Sequence, residues 1–183
     1  MIDQPIIDLQ ARPAEFWRPL EDGRIACDLC YRRCEIEPGA VGWCDIRRNE
    51  GGQMVLTAHG VLSGLASTMN GYQESAMIYY KPGRRGVTLG GISCTARCSF
   101  CMSCGVTWHP ERVPWLKKKQ GASLAESDHT WIGYRNVLAP EQVIERAKRQ
   151  GAGHITLAVN EPTLTFEYSL DVARLAKQAG LEV

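Results

Sequence analysis

The chain has 183 residues, of which 44% are hydrophobic and 22% charged, and this composition suits one globular domain of ordinary size. A formal net charge of +1 gives no strong electrostatic attraction for nucleic acid or for an acidic membrane, and no apolar run is long enough to cross a bilayer. Eight cysteines without an apolar leader segment favour metal or cluster ligation over disulfides, so we expect a cytoplasmic protein.

The N-terminal part predicts an irregular arm over residues 1 to 24, followed by a cysteine knuckle. Its four thiols have the spacing Cys-x2-Cys-x3-Cys-x9-Cys, at Cys27, Cys30, Cys34 and Cys44. The Pro38-Gly39 turn lets the two arms fold back, so that four thiolates can close tetrahedrally around one ion. Such sites hold either zinc or an iron-sulfur cluster, and the spacing leaves this choice open.

A β-hairpin arm is predicted next. Residues 53 to 62 are rich in apolar and β-branched side chains, and they follow the Gly51-Gly52 pair. Together, the knuckle and this arm predict a metal-binding module over residues 1 to 64. Residues 65 to 183 are predicted to form the second unit.

Three further thiols lie on a short loop directly after the predicted strand Val87-Thr88-Leu89. Cys94, Cys98 and Cys101 have the spacing Cys-x3-Cys-x2-Cys. A [4Fe-4S] cluster held entirely by protein takes four cysteines, so three thiolates leave one iron open to a chelating ligand. A zinc half-site, or a disulfide with a spare thiol, is the alternative for this loop.

Residues of about 105 to 138 are irregular and charged, and we interpret them as an insertion. Long insertions often serve as lids or binding loops, but charge runs such as Lys117-Lys118-Lys119 are more typical of a solvated surface. Cys104 adds another Cys-x2-Cys, and we treat it as a thiol outside the ligand set. Four histidines lack metal-ligand spacing and are expected at the surface or in packing: His59, His109, His129 and His154.

The C-terminal part alternates helices and strands. Pro140 to about Gln150 predicts a helix, residues 155 to 159 a buried strand, and residues 164 to 179 a second helix, after which Leu181-Glu182-Val183 would begin another strand. This alternation is typical of a parallel sheet. Both the cysteine loop and the loop Asn160-Glu161-Pro162-Thr163 would then lie at carboxyl ends of strands, on one edge.

The cysteine loop, with the aromatic Phe100 before its third cysteine, resembles the signature of radical S-adenosylmethionine (SAM) enzymes. Asn160-Glu161-Pro162-Thr163 is similar to the loop that meets the amino group of SAM in that family. The knuckle and the residues after it resemble the N-terminal extension of the AmmeMemoRadiSam-system branch, which is related to the pyruvate formate-lyase activating enzymes. The matching segments are Gly42-Trp43-Cys44 and Arg47-Arg48-Asn49-Glu50-Gly51-Gly52.

This resemblance implies cofactors and a reaction. A [4Fe-4S] cluster on Cys94, Cys98 and Cys101 would cleave SAM reductively, and a 5′-deoxyadenosyl radical would abstract hydrogen from an unknown substrate. Phe100, Asn160 and Glu161 would bind the cofactors, although a carboxylate at a helix N-terminus is the alternative for Glu161. The implied partners are an electron donor, such as a flavodoxin or ferredoxin, and an unknown substrate, for which a protein is one candidate. Neither nucleic acid nor a membrane is expected as a partner.

The implied fold is α/β, the N-terminal part of a partial (β/α)6 barrel preceded by the small, partly β metal-binding module. Because residues 65 to 183 supply only two βα units and the start of a third strand, we expect a fragment of a longer protein. Two other functions stay open. One is an activase that installs a glycyl radical on a partner protein, and the other is a non-catalytic zinc or iron-sulfur module for binding or electron transfer.

Overall fold

A computed structural model describes residues 11–62, 64–68, 83–101, 103, 136–158 and 160–183, with the backbone alone described over 64–68. Within these ranges the chain forms eleven short strands and two α-helices. The strands are β1 (Arg12–Pro13), β2 (Trp17–Pro19), β3 (Ile25–Cys27), β4 (Glu35–Ile36), β5 (Arg47–Glu50), β6 (Gln53–Leu56), β7 (Val61–Leu62), β8 (Gly64–Thr68), β9 (Gly86–Gly90), β10 (Asn136–Val137) and β11 (His154–Ala158). The helices are α1 (Pro140–Arg149) and α2 (Phe166–Gln178).

The N-terminal half folds into two small antiparallel sheets, with the strand orders β1-β6-β5 and β2-β3-β4. Gly51 and Gly52 join β5 to β6 with φ angles of 59° and 84°, a left-handed turn that glycine adopts without steric cost. This confirms the predicted hairpin in part: the hairpin runs from Arg47 to Leu56, whereas Val61 and Leu62 at the end of the predicted arm pair with β10. The predicted irregular arm is wrong in part, because β1 and β2 pair with later strands between residues 12 and 19.

A third sheet has the order β8-β9-β11 and carries the cysteine loop. Its central strand β9 is buried throughout and runs parallel to β11, with Gly86 opposite His154 and Gly90 opposite Ala158. On its other side, β9 pairs antiparallel with β8. Outside this sheet, β7, which precedes β8 in the chain, pairs antiparallel with β10.

Both predicted C-terminal helices are confirmed. Pro140 begins α1, whose buried face consists of Val143, Ile144 and Ala147. A 3-10 helix, Pro162–Thr165, leads into α2, and the two α-helices pack against each other beside the third sheet. The strand expected at residues 181 to 183 is a single parallel bridge between His154 and Glu182.

The predicted (β/α)6 barrel architecture is wrong. Most of the described strands belong to small antiparallel sheets, and the parallel pairing among them is limited to β9 with β11, across α1, beside the single bridge of His154 with Glu182. The physical reason is the pairing of β9. A parallel barrel needs a parallel neighbour on each side of a strand, whereas β8 occupies one side of β9 in the antiparallel sense.

Candidate metal and cofactor site

The three-cysteine loop begins where β9 ends. Cys94, Cys98 and Cys101 are all free thiols and are each partly buried, and the Cys101 backbone N–H donates to the Cys98 carbonyl oxygen at 3.0 Å. Ser93 and Arg97, which directly precede the first two cysteines, have φ angles of 70° and 47°. Residues other than glycine adopt this left-handed conformation at a cost, so neighbouring groups must hold the loop in shape.

Asn160 holds the first part of this loop. Its Oδ1 accepts a hydrogen bond from the Gly91 N–H at 2.9 Å, and its Nδ2 donates to the carbonyl oxygens of Ile92 and Ser93 at 3.1 and 3.0 Å. The contact is close because residue 91 is glycine: a Cβ there would lie 3.1 Å from Nδ2. The amide of Asn160 therefore fixes three consecutive residues before Cys94.

Glu161 holds the next residues. Its Oε2 accepts hydrogen bonds from the Thr95 backbone N–H and from the Thr95 hydroxyl, both at 2.7 Å. Thr95 is 1% exposed, so these bonds to a charged acceptor are largely shielded from water. The two residues predicted to face SAM thus lie against the cysteine loop, and their contact with SAM stays a prediction.

The four thiols of the knuckle, residues 27 to 44, line one small cavity of about 10 Å³. Cys27 ends β3 and Cys34 precedes β4, and the Cys27 N–H donates to the Cys34 carbonyl at 2.8 Å. Cys30 and Cys44 come to the same cavity from the turn between these strands and from the segment after Gly42. The cavity is about the size of a single water molecule or ion.

Burial keeps the innermost thiols of the knuckle protonated in the absence of a cation. Desolvation raises the pKa of Cys27, and it raises the pKa of Cys44 to about 11. The adjacent Cys30 and Cys34 also raise the pKa of Cys27, because nearby thiolates repel each other. A bound cation would reverse both effects, since metals bind thiolates and displace their protons.

The chemistry of the two donor sets fits the predicted metals. Four cysteines around one cavity are the ligands of a structural zinc or of an iron-sulfur cluster, and three on one loop supply three ligands of a [4Fe-4S] cluster. As the side chains stand, no group of three or more His, Cys, Asp or Glu residues within the described ranges is arranged to hold a metal ion. The predicted zinc and iron-sulfur sites therefore stay predictions.

The knuckle contacts the cysteine loop directly through hydrogen bonds. The Ser93 hydroxyl donates to the Cys44 carbonyl oxygen at 2.6 Å. The Thr95 carbonyl oxygen accepts from the Tyr31 hydroxyl at 3.1 Å and from the Arg32 guanidinium at 3.2 Å. One loop residue on each side of Cys94 is thus bonded to the knuckle.

Trp43 extends this interface. Two guanidinium groups lie over its ring, with the Arg32 Cζ 4.7 Å and the Arg97 Cζ 4.3 Å from the ring centre. Arg97 also donates to the Trp43 carbonyl at 3.1 Å and lies 3.6 Å from the Asp45 carboxylate. Sequence reasoning missed this interface. Aromatic and arginine residues inside two cysteine motifs were its one visible signal, and their spacing does not reveal that the motifs meet.

The remaining predicted residues lie apart from these contacts or outside the description. Phe100 is 84% exposed and belongs to neither hydrophobic core, so its contact with a cofactor stays a prediction. Cys104, His109 and His129 lie outside the described residues, as does most of the predicted insertion.

The two described histidines occupy different environments. His59 lies 3.3 Å from the Asp171 carboxylate and edge-on to the Tyr168 ring, and it lines a cavity of about 540 Å³ beside the start of α1. His154 is buried in β11 against Gly86, where a Cβ would overlap its ring.

Comparison with known proteins gives limited information. No family model matches the chain, and no solved structure does. The chain is similar to the uncharacterized protein MJ0808 of Methanocaldococcus jannaschii, at 25% identity over 171 residues. The match covers 93% of this chain and 45% of that protein, so the chain spans about half the length of its relative. Among the helices that the structure describes, none has the length and apolar character needed to cross a membrane.

Proposed function

We propose that this chain is part of a radical SAM enzyme, with a [4Fe-4S] cluster on Cys94, Cys98 and Cys101. The observation that carries the proposal is the pairing of two motifs. The three-cysteine loop after β9 is hydrogen bonded to the Asn160-Glu161 pair that follows β11 in the chain. This argument depends on the loop and its neighbours, and does not require a barrel.

Each residue of the proposed cofactor site has a distinct task. The three thiolates hold the cluster, and the bound cluster would supply the electron that cleaves SAM to a 5′-deoxyadenosyl radical for hydrogen abstraction. Asn160 and Glu161 keep the loop in one conformation, and the carboxylate of Glu161 places a negative charge beside it. A carboxylate is a suitable partner for the ammonium group of SAM.

The proposal includes further partners that belong to the whole protein. A flavodoxin or a ferredoxin would supply the electron, and the knuckle would hold zinc or a second iron-sulfur cluster. The substrate is unidentified, with protein substrates among the candidates. The chain spans about half the length of its relative, and no residue of this chain is assigned to the substrate.

The test is anaerobic reconstitution with iron and sulfide, followed by metal analysis and EPR of the dithionite-reduced protein with and without SAM. We expect a [4Fe-4S] signal that changes when SAM is added, because SAM would bind the open iron. The Cys98→Ala variant should lose this signal and retain the metal of the knuckle. Ser99→Ala, a change at the adjacent exposed position, is the matched control and should behave as the wild type.

Two outcomes would contradict the proposal. If a cluster forms but its spectrum ignores SAM, the test is repeated on a longer chain; a spectrum that still ignores SAM shows a coordinatively closed site, as in an electron-transfer or binding module. If only zinc binds, the loop is a zinc site and radical chemistry is excluded for this protein.

A further inference from the structure

The cysteine loop depends on groups outside itself for its shape. Ser93 and Arg97 adopt left-handed conformations beside Cys94 and Cys98. Each of them bonds to the knuckle, Ser93 to the Cys44 carbonyl and Arg97 to the Trp43 carbonyl. Both strained positions of the loop are therefore bonded to the knuckle.

Thr95 is the centre of this contact. It is buried, and its N–H and hydroxyl are bonded to Glu161 while its carbonyl oxygen accepts from Tyr31 and Arg32. The Glu161 side of this arrangement is part of the proposed cofactor site. The Tyr31 and Arg32 side comes from the knuckle and has no role in the proposed reaction.

Tyr31 and Arg32 lie between two of the cysteines of the knuckle, Cys30 and Cys34. The strands that flank this turn, β3 and β4, have only three and two residues. Such short strands constrain a turn weakly, whereas a metal bound by both cysteines would fix its two ends. Metal in the knuckle would therefore fix the positions of Tyr31 and Arg32, the two donors to the Thr95 carbonyl.

We propose that the knuckle is a metal-dependent clamp on the Cys94–Cys101 loop, in which Tyr31 and Arg32 are positioning residues that act through the Thr95 carbonyl. Metal in the knuckle keeps the loop ready for its own ligand. The identity of that ligand as a [4Fe-4S] cluster rests on the proposed function. The clamp itself rests on the contacts between the two segments.

The first experiment measures the clamp without a cluster. Hydrogen exchange is followed by mass spectrometry in the Cys98→Ala protein, metal-free or loaded with one equivalent of zinc, because this variant leaves four thiols together only in the knuckle. We expect amides of residues 91 to 97 to exchange about tenfold faster in the metal-free protein, as expected when bonds to one carbonyl are lost. Strands β9 and β11 should exchange equally in both forms.

The second experiment uses the wild-type cysteines after reconstitution. The double variant Tyr31→Phe/Arg32→Gln removes both donors to Thr95 and keeps all four thiols of the knuckle. We expect unchanged metal in the knuckle and about tenfold faster loss of loop iron to a chelator. The matched control is Arg33→Gln, because Arg33 donates within the knuckle to Asp28, and it should lose iron at the wild-type rate.

The two experiments separate failure of the clamp from failure of the proposed function. Equal loop exchange with and without zinc overturns the clamp, and so does a knuckle that binds neither zinc nor iron. Wild-type iron loss from the double variant also overturns it. If the wild-type loop takes up no cluster at all, the proposed function fails, and the exchange experiment still decides whether the knuckle controls the loop.

Discussion

At the scale of single residues, Asn160 shows how a short polar side chain shapes a ligand loop. Its amide both accepts and donates, and it satisfies one N–H and two carbonyl groups of the loop. An aspartate has the same shape but carries acceptors alone. The exchange of one atom would therefore turn two attractive contacts into repulsive ones.

We expect Asn160→Asp to lower the free energy of unfolding by about 3 kcal/mol at pH 7, because two partly buried carbonyls would lose their donor and face a charge. Urea denaturation of the metal-free protein measures this. Gln178→Glu makes the same amide-to-carboxylate change on the exposed end of α2 and should cost less than about 0.5 kcal/mol. A cost below about 1 kcal/mol for Asn160→Asp would show that the amide contacts contribute little.

At the scale of elements, α2 is attached to the N-terminal sheets by a buried ion pair. Arg47 on β5 donates to both carboxylate oxygens of Glu167 in the first turn of α2, at 2.7 and 2.6 Å. The side chains of these residues are 1% and 10% exposed. The same carboxylate accepts from the Glu15 N–H at 2.8 Å, and Arg47 donates to the Glu15 carbonyl at 3.0 Å. One side-chain pair thus joins three segments of the chain.

We expect Arg47→Met to lower the free energy of unfolding by about 3 to 5 kcal/mol, because it leaves the Glu167 carboxylate buried without its partner. Adding Glu167→Gln should recover part of this loss, since the amide oxygen still accepts from Glu15 without a charge. Arg48→Met is the matched control on the same strand. Arg48 pairs with the exposed Glu50, and such pairs contribute at most about 1 kcal/mol. Equal effects of both arginine changes would contradict the role of the buried pair.

The elements that the sequence predicted correctly have local signals. Pro140 at the start of α1, and the spacing of Val143, Ile144 and Ala147, follow from interactions within a few residues. The barrel was wrong because strand pairing is not local: nothing in the sequence of β8 indicates that it pairs antiparallel with β9. Most N-terminal strands have two to four residues, too few to display an alternating pattern.

The candidate site divides in the same way. Cysteine spacing alone predicted the two groups of thiols, and the four thiols of the knuckle line one cavity in the structure. The contacts that hold the loop were not predictable, because Tyr31 and Thr95 are 64 residues apart in the chain and meet only in the folded protein. Glu161 was predicted from the resemblance of its loop to that of radical SAM enzymes, whereas its bonds to Thr95 depend on the fold.

At the scale of the whole molecule, each of the two hydrophobic cores contains residues from both sides of the predicted boundary at residue 64. The N-terminal core includes Ile92 and Leu164 from the C-terminal part, and Leu62 belongs to the second core. The pairing of β7 with β10 also joins the two parts. The boundary itself stays a prediction. Because each core contains residues from both sides of it, we expect the molecule to unfold as one cooperative unit.

We expect changes in either core to be detected in both parts of the metal-free molecule. Leu164→Ala in the N-terminal core should cost about 3 kcal/mol, and Val172→Ala in the second core about 2 kcal/mol, since both side chains are buried. In a urea series, helical circular dichroism follows α1 and α2, and alkylation of Cys27 and Cys44 follows the knuckle. Because residues from both sides of residue 64 pack together in each core, each variant should shift both midpoints together. If Leu164→Ala shifts thiol exposure alone and Val172→Ala shifts the helical signal alone, the parts unfold independently, and the knuckle could then release the cysteine loop without unfolding the sheet beneath it.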